Sequence, residues 1–423
     1  MSTINYATAS FKDFEEMEGK DPFGWAGEFR NYQDDWEARG HWNYRQECTG
    51  PCGPEITLDM PRNPNKNFVA LVFNDYLGFS QHPAVKAAAI AGIERYGGSS
   101  SASPAIGGHF TYHRQIEEKI AAFFKRDAAI LYSAGYPANT GTMQALLKNK
   151  AQDLAILDTG VHASMYEGCQ LATIKTFPHN HMERLERILT ETGGQYRTRI
   201  VVIDGVYSQQ ADIAKLDEIV RLCKHYGAYT ALDDAHGVGV IGQTGRGVLE
   251  LYDLYQEVDF ITGTFSKTFG NIGGYVVAKP NMVNYLKYQS RAHIFSVSPA
   301  PSSCGILKAI DLIDEEPVWK AKLWDNITYL KTGLQALGLN TGNTESAIIP
   351  VITGKPDLNA EVSKLLMDAG IYANRIGYPA VAGNRSQIRM AVMATHTREH
   401  LDRVLNAWEW VAGKTGLKKQ IVH

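Results

Sequence analysis

The chain has 423 residues, a formal net charge of −3, 44% hydrophobic and 21% charged residues. That length exceeds one ordinary domain, and the near-balanced charge gives no electrostatic footprint for nucleic acid. No apolar run approaches the ~20 residues of a membrane span. The N-terminus, MSTINYATASFKDFEE, is too polar and acidic for a signal peptide. A cytoplasmic location is therefore expected, with peripheral membrane contact left open. Five scattered cysteines, at 48, 52, 169, 223 and 304, suit free thiols in a reducing compartment. The only close pair, CTGPC at 48–52, lacks a second pair to complete a metal site, and no metal is expected.

In chain order, residues 1–66 read as an N-terminal arm rich in aromatic and charged side chains, including Trp25, Trp36 and Trp42. It could pack on a second subunit or form a local cap on its own chain. A strand–helix alternation follows, predicting a catalytic domain over 67–304. Its strands are FVALVF (68–73), AAILY (128–132), LAIL (154–157), RIVVID (199–204), YTALDD (229–234) and DFITG (259–263). Helices are predicted from Pro83, from about Asn139 and over KLDEIVRLCKHY (215–226). Apolar runs without alternation, separated by helices, imply an α/β fold with a mostly parallel sheet covered on both faces. Beyond 305 the pattern becomes two long helices (305–315, 319–337), short strands AIIPV and QIRMAV, and a last helix from Thr397. This predicts a smaller α+β domain over 305–423.

The residues that suggest chemistry fall after the predicted strands, where ligands bind in such sheets. Asp233 and Asp234 end one strand, and His236 follows. Two adjacent buried carboxylates are costly unless a positive group meets them. Lys267 lies in TGTFSKTFG, after the next strand, between hydroxyls and a glycine turn. A partly desolvated lysine supplies a usable amine for a Schiff base. A lysine with an aspartate partner for a ring nitrogen is the pattern of pyridoxal phosphate sites. Thr264 and Ser266 are placed to bind the phosphate, together with the helix start in YSAGYPANTG (132–141). His162, in DTGVHAS, can stack on a flat ring.

The succession NDYLGF (74–79), HRQIEEKI (113–120), SAGYPAN, DTGVHAS, DGVYSQQADIAKL (204–216), DDAHGVGVIG, GTFSKTFGNIGG, FSVSPAP (295–301) and RMAVMATHT (389–397) resembles the α-oxoamine synthase family. These are fold-type I pyridoxal 5'-phosphate enzymes, and the resemblance spans about residues 67–400. It implies that Lys267 carries the cofactor and serves as base and acid at the substrate α-carbon. Asp233 would pair with the pyridine nitrogen, His236 would sit near the ring hydroxyl, and His162 would cover the ring face. Gly135, Tyr136 and Thr264 would hold the phosphate, joined by Ser298 from a neighbouring subunit, so a homodimer with shared sites is implied. Arg389 would clamp the amino-acid carboxylate, where a bidentate fork is apt, and Asn74 would lie near the substrate.

The resemblance implies decarboxylative condensation of an amino acid with an acyl-CoA or acyl-carrier-protein thioester, releasing the thiol and carbon dioxide. GTFSK and MATHT resemble the serine palmitoyltransferases, so the expected reaction uses a long-chain acyl donor and serve as a sphingolipid step with serine or a related polar amino acid. The alternative is a short-chain member of the 8-amino-7-oxononanoate synthase, 2-amino-3-ketobutyrate CoA ligase or 5-aminolevulinate synthase type. An aminotransferase on the same fold is more distant. One departure bears on substrate. Pro104, in YGGSSSASPAIGGHFTYH (96–113), stands where the family commonly has arginine, leaving open an amino acid with a sulfonate or other polar side chain.

Overall fold

A computed structural model describes residues 4–60 and 63–417; the outermost residues of the expected 1–66 and 305–423 segments, and Pro61 and Arg62, lie outside the described residues. The chain divides into two compact units, one formed by residues 74–323 and one by 1–73 with 324–423.

The 74–323 unit is built on a seven-stranded sheet. Its spatial order is Ala129–Tyr132, Gly274–Val277, Phe260–Thr264, Tyr229–Asp233, Thr198–Asp204, Asp153–Asp158, Thr173–Phe177. Gly274–Val277 runs antiparallel to both neighbours, and the other adjacent pairs are parallel. The strand over 153–158 is buried at every residue and that over 198–204 at all but its first, as expected where helices cover both faces. Ile130, Leu157, Val202, Ala231 and Val276 join one core with Met143, Met165 and Leu286 from the helices.

Two strands escape the sequence pattern. Thr173–Phe177 is a half-exposed edge whose polar residues look like a loop. Gly274–Val277 starts within what reads as a glycine turn. The helix expected from about Asn139 begins four residues earlier, at Gly135. FVALVF proves not to join the parallel sheet. Its first half lies in strand Asn63–Ala70, which pairs antiparallel with Glu55–Met60 in the other unit. A short apolar run specifies burial but not the sheet that receives it.

In the 1–73/324–423 unit, Ser386–Ala391 is the central strand of a three-stranded antiparallel sheet, between Ile348–Gly354 and Asn374–Ile376. The N-terminal aromatics pack within this unit, with Phe14, Tyr32 and Trp36 clustering against Ala360. Arg375 stacks 4.2 Å from the Trp36 ring centroid.

A glycine cage surrounds Asp234 in the 74–323 unit. A Cβ on Gly205 would lie 2.3 Å from Asp234 Oδ1, and one on Gly237 2.0 Å from the same atom. Gly247 has φ +80°, and a Cβ there would lie 1.9 Å from Oδ2. The carboxyl group thus fills space that side chains would otherwise take. Gly205→Ala is expected to cost about 1–3 kcal/mol by overpacking, read as a lowered calorimetric unfolding midpoint.

Candidate active site

Five strand ends converge on one cavity of about 260 Å³ in the 74–323 unit. Tyr132 leads to Gly135 and Tyr136, Asp158 to His162, Asp204 closes its own strand, Asp233 leads to His236, and Thr264 to Lys267. Parallel strands share one direction, so their carboxyl ends share one rim, and residues over a hundred positions apart become neighbours.

Lys267 Nζ lies 2.8 Å from His236 Nε2. The far side of that imidazole, Nδ1, is 2.6 Å from the Tyr76 hydroxyl, which donates to Asn74 Oδ1 at 3.3 Å. Opposite, Asp233 Oδ2 accepts from Asn139 Nδ2 at 2.6 Å and Oδ1 from the Ala235 amide at 3.0 Å. His162 caps the helix Ala163–Gly168, and its Nδ1 sits 2.7 Å from Ser164 Oγ. Burial pulls the His162 imidazole below its ordinary value; Asp233 opposes this and Lys267 adds to it. A neutral imidazole is thereby favoured.

Three carboxyl groups at or beside these strand ends, Asp204, Asp233 and Asp234, differ in environment. Asp204 accepts from the His162 amide at 3.2 Å, yet burial and then the charge of Asp233 raise it well above the usual carboxylate range. Asp234 points away from the cavity into its glycine cage. It accepts from the Val248 amide at 2.7 Å, and burial pushes it up to about 7. Asp233 alone of the adjacent pair lines the cavity. The sequence could not say which of the two faces the site; strand alternation sends neighbouring side chains to opposite faces.

At the cavity's other end the helix Gly135–Leu146 opens toward paired hydroxyls, with Thr264 Oγ1 and Ser266 Oγ 2.7 Å apart. A Cβ at Gly135 would lie 2.8 Å from Thr264 Cβ, so only glycine leaves this corner open. Tyr136 is 44% exposed and bonds the Glu167 carboxylate. Its ring lies edge-on to His162 at 6.1 Å.

Of the expected site residues, Gly135, Tyr136, His162, Asp233, His236, Thr264 and Lys267 all line this cavity. Asn74 joins it through Tyr76. Ser298 is buried in the segment after the helix Arg291–Ile294 and is not among the cavity-lining residues. Arg389 belongs to the other unit, where it is 5% exposed on the central strand of its sheet. Sequence reasoning missed Tyr76, Asn139, Ser164 and Asp204. Each stands inside or beside a motif it had noticed, but only side-chain direction gives them a role.

This donor set fits pyridoxal phosphate. It offers an amine, a carboxylate and a neutral imidazole lining one cavity, and a helix N-terminus with two hydroxyls for a phosphate. Asn139 Oδ1 is buried in the same site without a hydrogen-bond partner. The volume lies near the ~300 Å³ lower bound of small-molecule clefts, as suits one ring and one phosphate.

The fold and this lysine-bearing cavity define a fold-type I pyridoxal phosphate enzyme. Residues 66–407 match the family model described as aminotransferase class I and II. The chain is 39% identical to 8-amino-7-oxononanoate synthase of Thermoanaerobacter pseudethanolicus, covering 85% of this chain and 90% of that one. It is 34% identical to 8-amino-7-oxononanoate synthase 1 of Bacillus subtilis, over 88% and 93%. A solved serine palmitoyltransferase with pyridoxal phosphate as its internal aldimine superposes with a TM-score of 0.88 at 30% identity, covering 94% of this chain and 100% of that one. The chain belongs to the aminotransferase class I and II family and, within it, is an acyltransferase of the α-oxoamine synthase type whose cofactor is pyridoxal phosphate.

These relatives correct the expected substrate. The serine palmitoyltransferase-like, long-chain reading and its sphingolipid assignment give way to the short-chain alternative, because the curated relatives at 34–39% identity are named 8-amino-7-oxononanoate synthase while the serine palmitoyltransferase structure stands at 30%. The physical reason is that GTFSK builds the cofactor end of the cavity, which every member needs, so it cannot report acyl length. No helix among the described residues is long and apolar enough to cross a membrane.

Asp234 sets a pH dependence. Its folded value of about 7 exceeds the unfolded 3.8, so the folded chain binds this proton more tightly. Its contribution to stability is full below about pH 4 and is lost as pH rises through 7. Asp234→Asn is expected to flatten that slope, read as unfolding midpoints from pH 4.5 to 8 against the parent chain.

Proposed function

We propose that this enzyme joins alanine to the thioester of a seven-carbon dicarboxylic acid, forming 8-amino-7-oxononanoate with release of thiol and carbon dioxide. The observation that carries this reading is the 39% identity over 85% of the chain to a synthase of that product. The product name dictates the partners. Its two terminal carbons, with the amine, are alanine without its carboxyl group, and the oxo carbon is the former thioester carbonyl.

Pyridoxal phosphate, when bound, supplies an aldehyde for amines and a ring that delocalises electrons from a substrate α-carbon. This chain's residues do the rest. Lys267 binds the cofactor and takes the α-proton at Nζ, then returns one to the product. Asp233 would hold a proton at the ring nitrogen of the bound cofactor. His162 covers a ring face with its neutral imidazole, and His236 orients the lysine amine. The Gly135 amide, the neighbouring Tyr136, and Thr264 and Ser266 bind the phosphate, with Ser298 contributed by the second subunit of a homodimer. Arg389 grips the amino-acid carboxylate in a bidentate fork, and Asn74 lies beside the substrate. Fixing that carboxylate aligns its carbon–carbon bond for cleavage.

The test is thiol release with alanine and a heptanedioyl thioester, on coenzyme A and on carrier protein, beside serine with palmitoyl-CoA. Turnover with the first pair is expected. Turnover confined to serine and the long chain overturns the proposal. Lys267→Ala is expected to lose at least about 10²–10⁴-fold in kcat and the absorbance band of the bound cofactor. Mixing Lys267→Ala chains with Ser298→Ala chains is expected to restore activity above either variant alone, because a mixed dimer gathers both substitutions into one site and leaves the other intact; no recovery would count against shared sites.

A further inference from the structure

Tyr76 is fully buried and sits in NDYLGF, a motif that the functional reading above leaves without a chemical role beyond Asn74. Its hydroxyl lies between two groups, 2.6 Å from His236 Nδ1 and 3.3 Å from Asn74 Oδ1. The opposite imidazole nitrogen, Nε2, lies 2.8 Å from Lys267 Nζ. Four side chains from three segments thus form one hydrogen-bonded line.

We infer that Tyr76, oriented by Asn74, is a positioning residue that fixes His236 in its Nδ1–H tautomer and so makes Nε2 the acceptor for the proton carried by Lys267.

The proton order follows along the line. A lysine ammonium has three N–H donors and no lone pair, so its contact with Nε2 requires the lone pair there. A neutral imidazole then carries its proton on Nδ1 and donates it to the Tyr76 oxygen. That hydroxyl, having accepted, turns its own proton to Asn74 Oδ1, an atom that only accepts. The transfer balances: an N–H bond breaks at Nζ and forms at Nε2, giving a neutral amine and an imidazolium. The imidazolium keeps its Nδ1–H on the Tyr76 oxygen, a charge-assisted bond that favours it. Asp233, Asp204 and His162 line the same cavity, so the charge of Asp233 and the protonation of the other two act on both partners. The inference deepens the reading above and rests on Lys267 and His236 acting there, whichever acyl chain is used.

Nitrogen-15 NMR of histidine-labelled protein tests it, on the cofactor-free chain and on holoenzyme saturated with alanine without thioester. The His236 signals are assigned by difference from His236→Gln. A pyridine-type Nε2 and a protonated Nδ1 are expected; an Nε2–H ring overturns the inference. Asn74→Ala removes the acceptor that turns the tyrosine proton away from Nδ1 and is expected to weaken the Nδ1–H preference, read as a mixture of tautomers; an unchanged pattern overturns the role given to Asn74. Tyr76→Phe is expected to lower kcat about tenfold with little change in KM and to move the acid limb of the kcat–pH profile to lower pH. A folded Tyr76→Phe with unchanged kcat and profile overturns it. These outcomes do not depend on which thioester turns over, so a failed substrate assignment leaves the NMR result decisive.

Discussion

A lysine amine sharing one small cavity with a buried carboxylate is the constraint on which the rest of this structure depends. Neither group is tolerable alone away from water, because a buried charge costs several kcal/mol unless another charge or hydrogen bonds meet it. Lys267 is met by His236, and Asp233 by the Asn139 amide and a backbone N–H. The arrangement requires five chain segments to end at one place, which a parallel sheet provides without long loops.

Around that pair, further charge is neutralised rather than paired. Asp204 and Asp234 are pushed upward by burial, and His162 downward. The site therefore combines several titratable groups with little standing charge. Asp234 serves this economy structurally, since its carboxyl group occupies the gap left by Gly205, Gly237 and Gly247. The sequence DDAHG encodes both roles in adjacent residues, one facing the cofactor cavity and one facing the cage.

The loop around Pro104 illustrates how a family's chemistry and its specificity separate. Ser103 O accepts from the amides of Ile106, Gly107 and Gly108, and a Cβ at Gly108 would lie 1.9 Å from Ala102 O. The segment is thus a tight turn of small residues, self-bonded through its backbone. Such a turn keeps its shape under many side-chain changes. None of residues 96–113 is among those lining the cofactor cavity.

Much of this protein was written in its sequence. Unalternated apolar runs marked five of the six strands that share one direction, at 128–132, 154–157, 199–204, 229–234 and 259–263, because residues buried on both faces leave no period to misread. Lys267, Asp233, His236 and His162 stood out because polar groups at the ends of such strands are costly and therefore few. The tertiary structure decided what one-dimensional order cannot carry. It set the antiparallel Gly274–Val277 strand between Ala129–Tyr132 and Phe260–Thr264 and sent FVALVF to a separate sheet, since hydrogen bonding between strands is nonlocal. It turned Asp233, not Asp234, into the cavity, because alternate side chains of a strand face opposite ways. It joined Tyr76 to His236 across 160 residues, a contact made by folding that no local pattern encodes.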